Sequence, residues 1–99
     1  MKIIKNAISG TLESSDIQIM LVSNGNEGIE IQLKSSVEKQ FGKQIRKIIK
    51  ETLEKLKIDN VTLVVTDKGA LDCTIKARVE CAVYRACGIK EDYDWEVID

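Results

Sequence analysis

Between two apolar runs of this chain lies Gly10-Thr11-Leu12-Glu13-Ser14-Ser15-Asp16, a polar segment that sets two serine hydroxyls side by side. A serine that attacks a substrate needs a base to take its proton, most often an imidazole. The 99 residues contain no histidine, so a Ser-His nucleophile is excluded. A hydroxyl here is better suited to receive a group than to attack one, which is the behaviour of a carrier and not of an enzyme. From the residues alone, Ser14 and Ser15 are both candidate acceptors. Serine beside Glu and Asp is also an ordinary solvated turn former. Glu13 and Asp16 either guide a basic partner surface or simply solvate the turn.

The other reactive side chains offer less. Cys73, Cys81 and Cys87 are odd in number and form no C-x-x-C. Without histidine, a zinc site would need all three thiolates and a carboxylate, an uncommon set. Reduced thiols in a cytoplasmic protein are the expectation. Cys73 and Cys81, eight residues apart near one helical face, read as core or partly buried, and no activating partner for a catalytic thiol is evident. Asp67-Lys68-Gly69 reads as a connection between elements, with Gly69 serving backbone geometry and Asp67 a candidate helix cap. Ser35 reads as a helix cap rather than an acceptor.

Composition bounds the scaffold that must position these groups. Apolar residues make up 43% of the chain and charged residues 31%, which is globular. Ninety-nine residues suit one small domain spanning 1–99 with a single core. A net charge of −1 gives no global electrostatic case for nucleic acid or an anionic membrane. No apolar run approaches the roughly 20 residues that cross a bilayer. Met1-Lys2-Ile3-Ile4-Lys5 lacks the apolar core and cleavage site of a signal peptide.

The N-terminal third reads as strands. Ile3 to Gly10 is a weak candidate. Ile17 to Val22 is apolar and rich in β-branched residues, and Ile29-Glu30-Ile31-Gln32-Leu33 alternates strictly. Asn24 to Gly28 between them tolerates positive φ, so the two predict an antiparallel hairpin. Ser35 and Glu38 match the S-x-x-E capping box that opens a helix. Val37, Phe41, Ile45, Ile48, Ile49, Leu53 and Leu56 then recur at helical spacing as one apolar stripe. Gly42 within it costs about 1 kcal/mol relative to Ala and suggests close packing of helix on sheet. The helix is expected to end near Lys57.

Asn60 to Thr66 is the strongest strand by composition. From Leu71 to Ala86 the apolar residues fit either alternation or one helical face. About seventeen residues is long for a strand and ordinary for a helix. Gly88 followed by Ile89 has the form of a left-handed helix end, and Arg85 suits the last turn. A short strand that turns into a helix is the alternative. Lys90 to Asp99 is an acidic tail with Tyr93 and Trp95, ordered against a partner or folded back on the domain. The order β-β-β-α-β-α predicts an α+β fold, a small mostly antiparallel sheet packed against two helices, rather than a four-helix bundle.

Three separated blocks carry a family resemblance: Gly10-Thr11-Leu12-Glu13-Ser14, Ser35-Ser36-Val37-Glu38-Lys39-Gln40-Phe41-Gly42, and Asp67-Lys68-Gly69-Ala70-Leu71-Asp72-Cys73. In this order they closely resemble the citrate lyase acyl carrier proteins, from near the N-terminus to about Gly88. The resemblance implies a non-catalytic subunit. It implies that Ser14 is esterified by 2'-(5''-phosphoribosyl)-3'-dephospho-CoA, whose thiol carries acetyl and then citryl as thioesters. The implied partners are an alpha subunit that exchanges acetyl for citrate, a beta subunit that releases oxaloacetate, the transferase that attaches the arm, and the ligase that acetylates its thiol. Members of the family often have Gly after the carrier serine, where this chain has Ser15, and Ser15 is therefore the competing acceptor.

The physical requirements agree with that implication. A phosphodiester on a primary alcohol is stable in water and leaves the thioester as the reactive bond. The acceptor must reach other active sites, so an exposed turn is expected. A long arm on a mobile turn lets a tethered thioester span those sites. Two other readings compete. One is the related carrier subunit of malonate decarboxylase, which uses the same kind of arm. The other is a protein- or RNA-interaction module, supported only by the basic face of the first helix and opposed by the scarcity of aromatic residues.

Overall fold

Alternation decides which face of each strand meets the core. In the computed structural model, which describes residues 3–25 and 28–88, Ile17, Ile19 and Leu21 of β2 (Ile17–Val22) are fully buried. Val61, Leu63 and Val65 of β4 (Val61–Asp67) are buried likewise, while Met20 and Val64 between them are exposed. With β1 (Ala7–Ser9) and β3 (Ile29–Ser35) they form a four-stranded sheet in the order β1-β2-β4-β3. The pairs β1/β2 and β2/β4 are antiparallel and β3/β4 is parallel. Helices α1 (Glu38–Lys55) and α2 (Asp72–Ala86) cover one face, α1 over β3 and α2 over β1 and β2, and touch each other. The core between layers includes Ile45, Ile49, Leu53, Ile75, Val79, Val83 and Tyr84. Among the described residues no element covers the opposite face of the sheet, where Met20 and Val64 are exposed.

The element order and the α+β class match the expectation, and the segment from Asp72 is helical throughout rather than part strand. The expected β2–β3 hairpin does not form. β4 lies between these strands. The connection therefore crosses about 9.6 Å, twice the strand spacing. It is fastened to the start of β4: the Asn24 side-chain amide donates to Gly28 O (3.0 Å) and Thr62 Oγ1 (3.1 Å), and Gly28 N–H donates to Asn60 Oδ1 (3.1 Å). α1 supplies the physical reason. An 18-residue helix returns the chain about 27 Å, which lets β4 run parallel beside β3 as a βαβ unit.

Four finer expectations are also corrected. Ser35 ends β3 instead of capping α1, whose N-cap Val37 has no side-chain capping bond. The Ser35 hydroxyl donates to Asp67 Oδ2 (2.7 Å) and accepts from Val37 N–H (3.1 Å), so the cross-strand carboxylate has taken the hydroxyl. Asp67 is buried at the end of β4 and accepts from Ala70 N–H (3.0 Å), bracing the connection ahead of α2 rather than capping it. A Cβ on Gly42 would meet only Glu38 of its own helix, so that glycine serves no close approach to the sheet. Cys73 is exposed, on the first turn of α2, while Cys81 and Cys87 are half-buried. At the other end α2 stops as expected, with Gly88 at φ +78° directly after the C-cap Cys87. The expectations for Ile89 and for the tail Lys90 to Asp99 lie outside the described residues.

Candidate functional site

The serine turn hangs between two strands on a knot tied by Asp16. Asp16 N–H donates to Glu13 O (3.1 Å), closing a four-residue turn with Ser14 and Ser15 at its centre. The turn is pinned to the end of β4 by two backbone bonds, Ser15 N–H to Lys68 O and Lys68 N–H to Asp16 O, both 2.9 Å. The Asp16 carboxylate gathers everything around it. Oδ2 accepts from Thr11 Oγ1 (2.6 Å), Thr11 N–H (3.2 Å) and Arg78 Nη2 (3.1 Å). Oδ1 accepts from Ile17 N–H (2.7 Å) and Arg78 Nε (3.1 Å). Arg78 reaches it from α2 as a planar two-point partner.

These bonds all favour the charged carboxylate. The Thr11 hydroxyl is the largest influence, with Ile17 N–H and Arg78 adding to it and burial opposing them, and together they lower the Asp16 pKa from 3.8 to about 2. Asp16 thus holds the turn together in its charged form. The turn is anchored at its base by these bonds. Gly10 completes the anchoring. At φ +85° it passes so close to Ile17 that a Cβ would fall 1.8 Å from Ile17 O, so only glycine fits.

Ser14 and Ser15 are both exposed, as expected of an acceptor turn, and among the described residues no hydrogen bond engages either hydroxyl. They differ in backbone. Ser15 has φ +64°, the left-handed region that glycine adopts most readily, and its N–H is bonded to Lys68. Ser14 has no positive φ and stands at the corner of the turn. A glycine at position 15 would relieve the conformation that Ser15 adopts here. Sequence reasoning missed Arg78 altogether. It lies 62 residues from Asp16, and nothing in its neighbourhood marks it apart from other polar positions of an amphipathic helix.

A second surface feature lies where the helices begin. Val37, Phe41, Ile45, Ala70, Leu71 and Ile75 line a groove of about 590 Å³. Phe41 and Leu71, read as stripe residues, are 51% and 70% exposed there, because both precede the part of their helix that the sheet covers. Among the described residues no cluster of His, Cys, Asp and Glu could hold a metal ion, and no helix is long and apolar enough to cross a membrane.

An α+β domain of this size, offering unengaged hydroxyls on a braced turn, is matched over residues 4–86 by a family model for an acyl carrier, described as malonate decarboxylase delta subunit. One chain of a Pseudomonas malonate decarboxylase hetero-tetramer, in complex with malonate, has the same fold. The TM-score is 0.65 at 17% identity, over 83% of this chain and 84% of that one. The fold recurs in a homoserine kinase from Cytophaga hutchinsonii (TM-score 0.58, 14% identity, 88% of this chain and 36% of that one), so architecture alone does not decide function. Sequence similarity is narrower. The citrate lyase acyl carrier proteins of Latilactobacillus sakei and Lacticaseibacillus casei are 58% and 61% identical over all 99 residues, which cover 96% of each relative. That of Streptococcus mutans is 54% identical over the same span. The chain belongs to the citrate lyase acyl carrier protein family.

Proposed function

We propose that this chain is the non-catalytic acyl carrier subunit of a cytoplasmic citrate lyase, and that Ser14 carries 2'-(5''-phosphoribosyl)-3'-dephospho-CoA through a phosphodiester. The observation that carries the reading is the exposed Ser14 hydroxyl, unengaged at the corner of a turn whose base is tied down by Asp16 and Arg78. The residues suit the group. An acceptor oxygen must be open to a transferase, and a primary alcohol with no internal partner meets that need without disturbing the fold. When attached, the arm supplies the thiol on which acyl groups are held. The chain contributes position: Asp16, Thr11, Gly10 and Lys68 hold the turn at the ends of the central strands β2 and β4, so reach between active sites comes from the arm. With no histidine in the chain, proton transfer belongs to the partner subunits, alpha exchanging acetyl for citrate and beta cleaving to oxaloacetate. The attaching transferase and the acetylating ligase complete the set of partners.

Intact mass tests this directly. Chain produced with its transferase is expected to be heavier by one nucleotide-containing group, and Ser14→Ala to lack that mass while Ser15→Ala keeps it. A group on Ser15, or none with active transferase present, overturns the assignment. The family model and the Pseudomonas neighbour support one alternative, service in a malonate decarboxylase. A coupled assay separates them by which complex, citrate-cleaving or malonate-decarboxylating, regains activity when the loaded chain is added.

A further inference from the structure

A groove of about 340 Å³ opens beside the serine turn, lined by Leu12, Gln18, Lys34, Thr66 and Lys68 together with the ends of β3 and β4. It adjoins the turn through two of its own walls: Leu12 is two residues before Ser14, and Lys68 O accepts the Ser15 N–H. The strand register explains what it presents. Gln18 pairs with Thr66 and Thr66 with Lys34, so these three form one polar row across β2, β4 and β3 on the open face of the sheet. Lys34 and Lys68 are exposed, and among the described residues neither takes part in an ion pair. Among the described residues the one carboxylate lining the groove, Asp67, is buried and already accepts from Ser35 and Ala70. Leu12, 54% exposed, is the apolar wall among the described residues.

Two unpaired cations, a row of hydrogen-bonding side chains and one apolar wall match a phosphorylated nucleoside. They do not match an acyl chain or a hydrocarbon segment. The volume falls at the small end of ligand sites, which run from roughly 300 to 1,000 Å³. That admits part of a coenzyme A-like arm, not the whole. We propose that this groove seats the anionic nucleotide part of the group attached at Ser14, with Lys34 and Lys68 holding its phosphates. The inference rests on the carrier reading above and adds to it a resting place on the carrier's own surface. Exposed lysines hold a free phosphate weakly. Attachment two residues from the groove wall supplies an effective concentration of the order of millimolar, which suffices to populate a weak site. A weak seat also leaves the arm free to depart to a partner.

The test needs no attached arm. Unmodified, isotope-labelled full chain is titrated with 3′-dephospho-CoA and followed by NMR. Saturable shifts are expected at Leu12, Gln18, Lys34, Thr66 and Lys68. The Lys34→Ala/Lys68→Ala double variant should weaken them about fivefold with an unchanged circular dichroism spectrum. Pantetheine, which has the thiol end but no phosphate, should leave these residues unmoved. Absence of shifts at millimolar nucleotide, shifts at Val37, Phe41, Ile45 and Ile75 instead, or equal shifts with pantetheine would each overturn the proposal. Whether Ser14 is the acceptor is decided separately by intact mass, so a failure of the groove is distinguishable from a failure of the carrier reading.

Discussion

At the scale of single residues, the serine turn divides its labour between neighbours. Ser15 occupies the left-handed conformation, so Ser15→Gly should stabilise the chain by about 1 kcal/mol in urea denaturation. It should also leave loading at Ser14 intact. Asp16 makes a second prediction through pH. Its pKa falls from 3.8 to about 2 on folding, so the folded state holds that proton less tightly than the unfolded chain does. The resulting stability is fully present above about pH 4 and is lost as pH falls through about 2. Arg78 is 38% exposed, and solvent screening holds the expected loss in Asp16→Asn at neutral pH to about 1 kcal/mol. Urea midpoints measured between pH 5 and 2 should fall less steeply for the variant. The polar turn, its exposure and the absence of a catalytic base were all legible in the chain. Arg78 was not, because a partner 62 residues away leaves no local signature.

At the scale of elements, helix and strand identities followed from periodicity, and pairing did not. Alternation in β3 says which side of that strand is apolar. It is silent on which strand lies beside which, and the Asn- and Gly-rich link between β2 and β3 reads equally as a tight turn or as a crossing over the end of β4. Only the hydrogen bonds of Asn24 and Asn60 distinguish these. The capping box failed for a similar reason: Ser35 found Asp67, its register partner across the β3/β4 pair, before it could serve the helix. Gly42 gives the element-scale prediction. Its missing Cβ would contact only the Glu38 side chain, at 3.1 Å, and Glu38 is exposed and able to move. Gly42→Ala should therefore stabilise α1 by up to about 1 kcal/mol, raising the thermal midpoint, rather than disturb helix–sheet packing.

At the scale of the whole molecule, one layer of two helices on one face of a sheet leaves three thiols in graded environments. Cys73 is exposed, whereas burial pushes the Cys87 thiol above its usual range. Under native conditions a thiol reagent at neutral pH should label Cys73 first and Cys87 much more slowly, with all three equal in denaturant. Equal native rates would contradict the packing of the end of α2. The chain by itself determined the element types, the α+β class, the serine turn and, through three motif blocks, the family. These depend on local periodicity and on short runs of residues, both of which are written in order along the sequence. The tertiary structure alone decided that β4 divides β2 from β3, that Arg78 clasps Asp16, and that Lys34 and Lys68 line one groove with Leu12. Each of these joins residues far apart in the chain, and such contacts are fixed only when the sheet register and the burial of its apolar face are settled together.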